Sequence, residues 1–239
     1  MAGFLTTFDS LKNQNRISQS AVVLPSEMDS VMTKLRVAEK RLFDLLSIKE
    51  WVQPSASLSN ATSTGSTIAP TYPIISPYIE VSGNVDDFFN NLTSAFEMFG
   101  QVINLVYIDP PLHESLVTFY NIVALMKTSK PNVNLTTHLN SFTNSQWFRD
   151  TKAFRRRCYH RRKILWEISM KVSSLQATVF PQVVEILIPD NPYSNNPTHV
   201  KKRSIMNFCL PLFQSSLNAI DQSFGIIDVE VKNANKIPV

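Results

Sequence analysis

Apolar residues return at three- and four-residue steps through most of this 239-residue chain, the spacing that keeps side chains on one face of a helix. Pro25 and Ser26 open the first such stretch, with Ser26 in the place of an N-cap and Asp29 three residues later completing a capping box. Met28, Val31, Met32, Leu35, Ala38, Leu42, Leu45 and Leu46 follow as one stripe, which predicts a helix to about Trp51. From 54 to 77 the chain turns rich in Ser, Thr, Asn, Ala and Pro, with neither period nor charge, and predicts a long mobile loop over 54–80. A second long helix is expected from near Asn84, with Asp86 and Asp87 in its first turn, where acids favour the positive end of the helix dipole. Its apolar face is Phe88, Phe89, Leu92, Ala95, Phe96, Phe99, Val102, Ile103 and Val106, and Asp109, Pro110 and Pro111 end it.

A third helix is predicted over 112–127 with Leu116, Val117, Tyr120, Val123 and Ala124 inward, and so short a connection makes it an antiparallel neighbour of the second. A short helical piece over 135–142 precedes a stronger helix capped by Ser145, with Trp147, Phe148, Thr151, Phe154 and Cys158 toward the core. The period then changes to two. Ile164, Trp166, Ile168, Met170 and Val172 alternate with other residues, and 183–188 forms a second apolar run, which together predict a β-hairpin over 163–189. A last helix is expected from Pro197 and Thr198 through Ile205, Phe208, Leu212 and Leu217, kinked at Pro211, and the alternation of Ile227, Val229 and Val231 predicts a final strand. The pattern is that of a mainly α protein in one domain, 1–239, a bundle of about five helices with a small hairpin.

Composition narrows the class. Hydrophobic residues make up 44% and charged residues 18%, the balance of a folded globular chain. No apolar run approaches eighteen residues, and residues 1–20 lack the basic flank and apolar run of a signal peptide, so a cytoplasmic protein without membrane association is expected. Cys158 and Cys209 both fall in segments read as helical, which points to free thiols in a reducing compartment. P-loop, HExxH and CxxC patterns are missing from the sequence, and His113, His138, His160 and His199 have no second ligand at metal spacing. Neither metal nor cofactor is expected.

The net charge of +4 is modest but unevenly spread, since six of the nine residues 155–163 are Arg or Lys and a seventh is His160. The run Arg155, Arg156, Arg157, Cys158, Tyr159, His160, Arg161, Arg162 resembles the HEPN superfamily, whose ribonuclease members carry an Arg, four to six residues, and then a His. Arg155 and His160 match with four residues between them, at the end of an amphipathic helix that follows two long ones. The resemblance covers most of 86–162, and Trp147 and Phe148 followed by the basic run look like a bacterial HEPN subgroup; Arg156 departs from the motif, where Asn, Asp or His is commoner.

The resemblance implies a HEPN-like bundle in which the hairpin follows the motif as an elaboration, and metal-independent RNA cleavage by the ribose 2′-hydroxyl with a cyclic phosphate as product. His160 would be the general base or acid and Arg155 the charge stabiliser, with Arg156, Arg157, Arg161, Arg162 and Lys163 binding RNA. It also implies a homodimer, with two motifs across the seam, and a place in a defence or toxin system beside an antitoxin or neighbouring effector.

Physical alternatives stand beside it. Residues five apart on an unbroken helix are about 140° out of phase, so Arg155 and His160 converge only where the helix loosens, whereas Arg156 and His160 share a face. An arginine run at a helix C-terminus is also simply a favourable match to the dipole and a solvated surface. A non-catalytic dimeric interaction or sensor module would use the same bundle without the chemistry.

Overall fold

A computed structural model describes residues 24–47, 77–159, 167–171, 182–194, 196 and 198–234. Helical periodicity is realised in six α-helices among them: α1 (Leu24–Ser47), α2 (Pro77–Tyr107), α3 (Phe119–Ser129), α4 (Asn134–Thr143), α5 (Gln146–Tyr159) and α6 (Leu210–Ala234). The strands β1 (Glu167–Lys171), β2 (Gln182–Ile188) and β3 (Arg203–Ser204) form an antiparallel sheet in the order β1-β2-β3. Contacts divide the chain into two units, the first of 1–37, 91–152 and 212–239 and the second of 38–90 and 153–211.

The first unit is built on phenylalanine. Phe96, Phe119, Phe142 and Phe148 come from four different helices, and all their pairwise ring-centroid distances fall between 5.1 and 6.0 Å. Close ring pairs of this kind add to the stabilisation from area burial. Gly100 lets this happen: a Cβ there would stand 3.0 Å from the Cα of Phe119, so the start of α3 approaches α2 where no side chain intervenes. Buried Asn104 donates from Nδ2 to the Leu112 carbonyl at 3.0 Å and accepts the Leu112 N–H on Oδ1 at 2.9 Å, which fixes the chain after the prolines. Glu230 of α6 accepts from the Tyr107 hydroxyl and from the Asn134 N–H at the start of α4, a helix whose N-cap Val133 has no side-chain cap of its own.

Three expectations for this unit fail. The segment predicted as one helix over 112–127 is a 3-10 turn (Glu114–Leu116) followed by α3, because Thr118 is extended and caps Asn121, and Glu97 takes the Phe119 N–H at 2.8 Å. That break shifts the helical phase, so Leu116 and Tyr120 are 60% and 38% exposed and Ala124 is exposed, while Phe119, Ile122, Val123 and Met126 face inward. The predicted final strand is helix to Ala234. Ile220, Phe224 and Ile227 are buried at helical spacing while Val229 is half exposed, so the core selects the period of 3.6 over the local alternation of two. Leu217, also predicted inward, is 37% exposed.

In the first unit α1 begins at Leu24, which puts Ser26 inside the helix instead of at its cap, and in the second α2 begins at Pro77, seven residues before the expected Asn84. Proline suits a first helical position, since its missing N–H would have no helical partner there. Asp86 and Asp87 therefore lie within α2 and not in its first turn; Asp87 stands 3.2 Å from the Arg41 Nε of α1. The expected loop over 54–80 is helical from 77, and 54–76 lie outside the described residues, as do 48–51 at the expected end of the first helix.

The hairpin is present, with β1 antiparallel to β2 and a register shift between Ser169 and Met170; residues 163–166 and 172–181 lie outside the described residues. β3 adds a strand that periodicity does not show, since it is two residues long. It precedes a π turn (Ile205–Cys209) in which the Leu210 N–H reaches the Ile205 carbonyl. The last helix thus begins at Leu210 and not at 197–198, and Pro211 sits in its first turn.

Glycine substitutions test the packing of α2 and α6. At Gly225, inside α6, an added Cβ meets nothing within 4 Å, so Gly225→Ala should raise stability by about 0.5–1 kcal/mol through helix propensity alone. Gly100→Ala gains the same propensity but must push the backbone of α3, and should lower stability by about 1–2 kcal/mol net. Urea denaturation should move the two midpoints in opposite directions; a rise for Gly100→Ala would show that α3 yields.

Candidate functional site at the end of helix α5

Ser145 caps α5, accepting the Phe148 N–H on Oγ at 3.3 Å, and the helix then runs unbroken through Tyr159. Phe148, Thr151, Phe154 and Cys158 form its buried face, as the spacing predicts, whereas Trp147, also predicted inward, is only half-buried against Phe142 and Phe148. In the second unit Phe154 stacks on Phe89 at 4.9 Å between centroids and lies 5.2 Å from Phe208. This anchors the turn that carries the arginines.

Those arginines do not share one environment. Arg156 is exposed, Arg155 is half-buried with its charge near Cys158, and Arg157 is only 7% exposed. Successive helical residues point about 100° apart, so a run of three must divide between core and surface. The buried Nε of Arg157 has no hydrogen-bond acceptor among the described residues, which is costly for a charged group unless an anion compensates it. His160, Arg161, Arg162 and Lys163 lie outside the described residues. Because α5 stays helical through Tyr159, no loosening occurs between Arg155 and Tyr159.

Cys158 is a core residue in both position and chemistry. Burial first, then the charge and hydrogen bond of Asp86, push its thiol well above the ordinary range, with Arg155 opposing them weakly. Cys209 is pushed up by burial alone. A thiol held protonated in this way is not a nucleophile near neutral pH.

The sequence reading missed a second basic run. Lys201 and Lys202 are exposed, and the Arg203 guanidinium lies over the Phe208 ring at 4.8 Å. Asp190 closes the preceding loop: its N–H reaches the Thr198 carbonyl, and its carboxylate accepts from the Thr198 hydroxyl and the Lys201 N–H, each at 3.1 Å. Three consecutive basic residues were the available signal, hidden by assigning them to the first turns of a helix.

Counted along the sequence, the first unit holds ten Lys and Arg against ten Asp and Glu, and the second thirteen against nine. The whole net charge therefore belongs to the second unit, which includes both basic runs.

Two histidines have structural roles in the first unit. His113 Nδ1 accepts the Ser115 N–H at the 3-10 turn, and His138 Nε2 lies 3.1 Å from the Ala219 carbonyl. Among the described residues no group of three or more His, Cys, Asp or Glu could hold a metal ion, and no helix is long and apolar enough to cross a membrane. Compared with known protein families, curated proteins and solved structures, the chain matches none.

Both thiols should resist Ellman's reagent in the native protein at pH 8 and react fully once it is unfolded. The pH dependence has a definite sign. Folded thiols with raised pKa values contribute stability that is intact below the unfolded thiol value of about 8.5 and falls as pH rises above it, because only the unfolded thiols ionise there. Replacing both cysteines by Ala should flatten the alkaline fall in urea midpoint, and an unchanged fall would assign it to other groups.

Proposed function

We propose that the second unit acts on RNA through the end of α5, as a HEPN-type metal-independent ribonuclease or RNA-binding effector. The observation that carries this is the placement of the entire net charge in that unit, with Arg156 exposed at the last turn of α5. A cationic surface of this kind attracts a phosphate backbone and releases its counterions. The resemblance supplies the chemistry: His160 moves the proton of the 2′-hydroxyl or of the leaving oxygen, and Arg155 stabilises charge building on the phosphate. Two motifs facing each other in a homodimer would enclose the phosphate better than one. A bacterial defence or toxin role, with an antitoxin or effector partner, belongs to the same proposal.

One observation favours a second reading, a non-catalytic dimeric sensor or interaction module. The buried Arg157, whose Nε has no acceptor among the described residues, suits recognition of an anion without turnover.

Incubating the purified protein with RNA in EDTA separates the two. Cleavage by the native protein that leaves a cyclic phosphate, reduced about 10²–10⁴-fold in His160→Ala, supports the enzyme. Arg155→Ala should lower the cleavage rate more than it weakens RNA binding, since the charge it meets develops only in the transition state. If Arg156→Ala shows that signature instead, Arg156 is the stabiliser. The composite site requires sedimentation as a dimer at micromolar concentration, and a monomer that still cleaves would remove it.

A further inference from the structure

The inward turn of Arg157 follows from the seating of Phe154 against Phe89 and Phe208, because three residues further along α5 a side chain lies only about 60° around the helix. Cys158 flanks Phe154 on the other side, and its thiol donates to Asp86 of α2. Arg157 points about 100° away from Cys158. Its guanidinium has neither an ion pair nor a hydrogen bond among the described residues.

Burial of such a group is tolerated where an anion shares its site, and an arginine cannot escape by releasing its proton. The negative end of the α5 dipole suits the charge but gives Nε no acceptor. Asp86 softens the field of the turn without balancing it, since the turn carries Arg155, Arg156 and Arg157 against that one carboxylate of α2. Nε is enclosed, whereas the two Nη groups, equally without partners, are not, so the guanidinium meets the surface by its outer edge. Its charge is delocalised, and an anion on that edge compensates the whole ion.

We propose that the outer edge of Arg157 is the seat of a terminal phosphate, the phosphomonoester end of an RNA strand or of a nucleotide. This rests on the reading of Arg157 as an anion-recognising residue at an RNA-binding helix end, and names the group it takes. The two Nη donors match two oxygens of one phosphate. With 7% of the residue exposed, the opening is narrow. An internal phosphate of a strand carries a sugar on both sides, whereas a terminal phosphate projects beyond its carrier and enters first.

The test is calorimetric titration of the full-length protein with a 2′-O-methyl hexauridylate, which a 2′-hydroxyl mechanism cannot cleave, bearing a 5′-phosphate, a 3′-phosphate or neither. Uridine monophosphate and uridine are titrated beside it. A strand with a terminal phosphate should bind about tenfold tighter than one without, as expected for one added charge-assisted pair. Uridine monophosphate binding in place of that preference assigns the same seat to a free nucleotide. Arg157→Met should abolish the discrimination while the ligand-free protein melts at the native temperature or above, because an uncompensated buried charge is gone. Arg157→Lys, which keeps the charge without the fork, should weaken it. Arg156→Gln, at the exposed arginine of the same turn, should flatten the salt dependence and keep the discrimination.

Equal binding of all three strands with no binding of uridine monophosphate would overturn this inference and leave the RNA reading standing. No binding of any probe at low salt would overturn both. A lower melting temperature for ligand-free Arg157→Met would show that the fold already compensates the guanidinium, and would overturn the inference without the titrations.

Discussion

A helix can hide only the faces that other elements cover, and α2 carries apolar residues over much of its length and circumference. Between Val81 and Ile103 ten of its hydrophobic side chains are buried, Phe88, Phe89 and Phe99 completely. Each of them except the small Ala95 contributes roughly 1.5–3 kcal/mol when it leaves water. Both units draw on this one helix, the second unit on its start and the first on its continuation. In the first unit α3 and α6 supply Phe119 and Phe224 to it; in the second, α5 supplies Phe154. The aromatic stripe is therefore core, and it leaves no ring of α2 from Phe88 to Phe99 free for a base.

The chemistry of the α5 end follows from the same packing. Once Phe154 is seated between Phe89 and Phe208, the rotation of the helix is set, and with it the fate of each following residue. Arg156 goes to solvent; Arg157 and Cys158 go inward. A helix that presented all three arginines to water would have to expose Phe154 or Cys158 in exchange. The solvated-surface account of the run thus holds for Arg156 and fails for Arg157. A buried guanidinium is expensive unless compensated, which makes Arg157 the residue of the run that most needs explanation.

Local patterns compete, and the competition explains which expectations hold. Ser145 as a cap and Phe148, Thr151, Phe154 and Cys158 as a buried face are legible because α5 has one consistent period and a cap at its start. The alternation at 227–231 is equally visible but too short to prevail against the buried Ile220, Phe224 and Ile227, so that segment is helix. The phase of α3 was not legible, because it depends on Glu97, distant in sequence, taking the Phe119 N–H. Nor was β3, whose two residues are a strand only because β2 lies beside them.

By itself the sequence determined the mainly helical class, the buried stripes of α1, α2 and α5, the antiparallel hairpin and the basic run at the end of α5, since each rests on period, capping or charge within a short window. Only the tertiary structure decided which arginine faces solvent, that Asp86 meets Cys158, and that Arg203 is linked through Phe208 to α5. Those outcomes require residues tens of positions apart to touch. Side-chain contact across such separations is a property of packing, and in this protein one phenylalanine, Phe208, makes the difference by lying against Phe154 on one side and beneath Arg203 on the other.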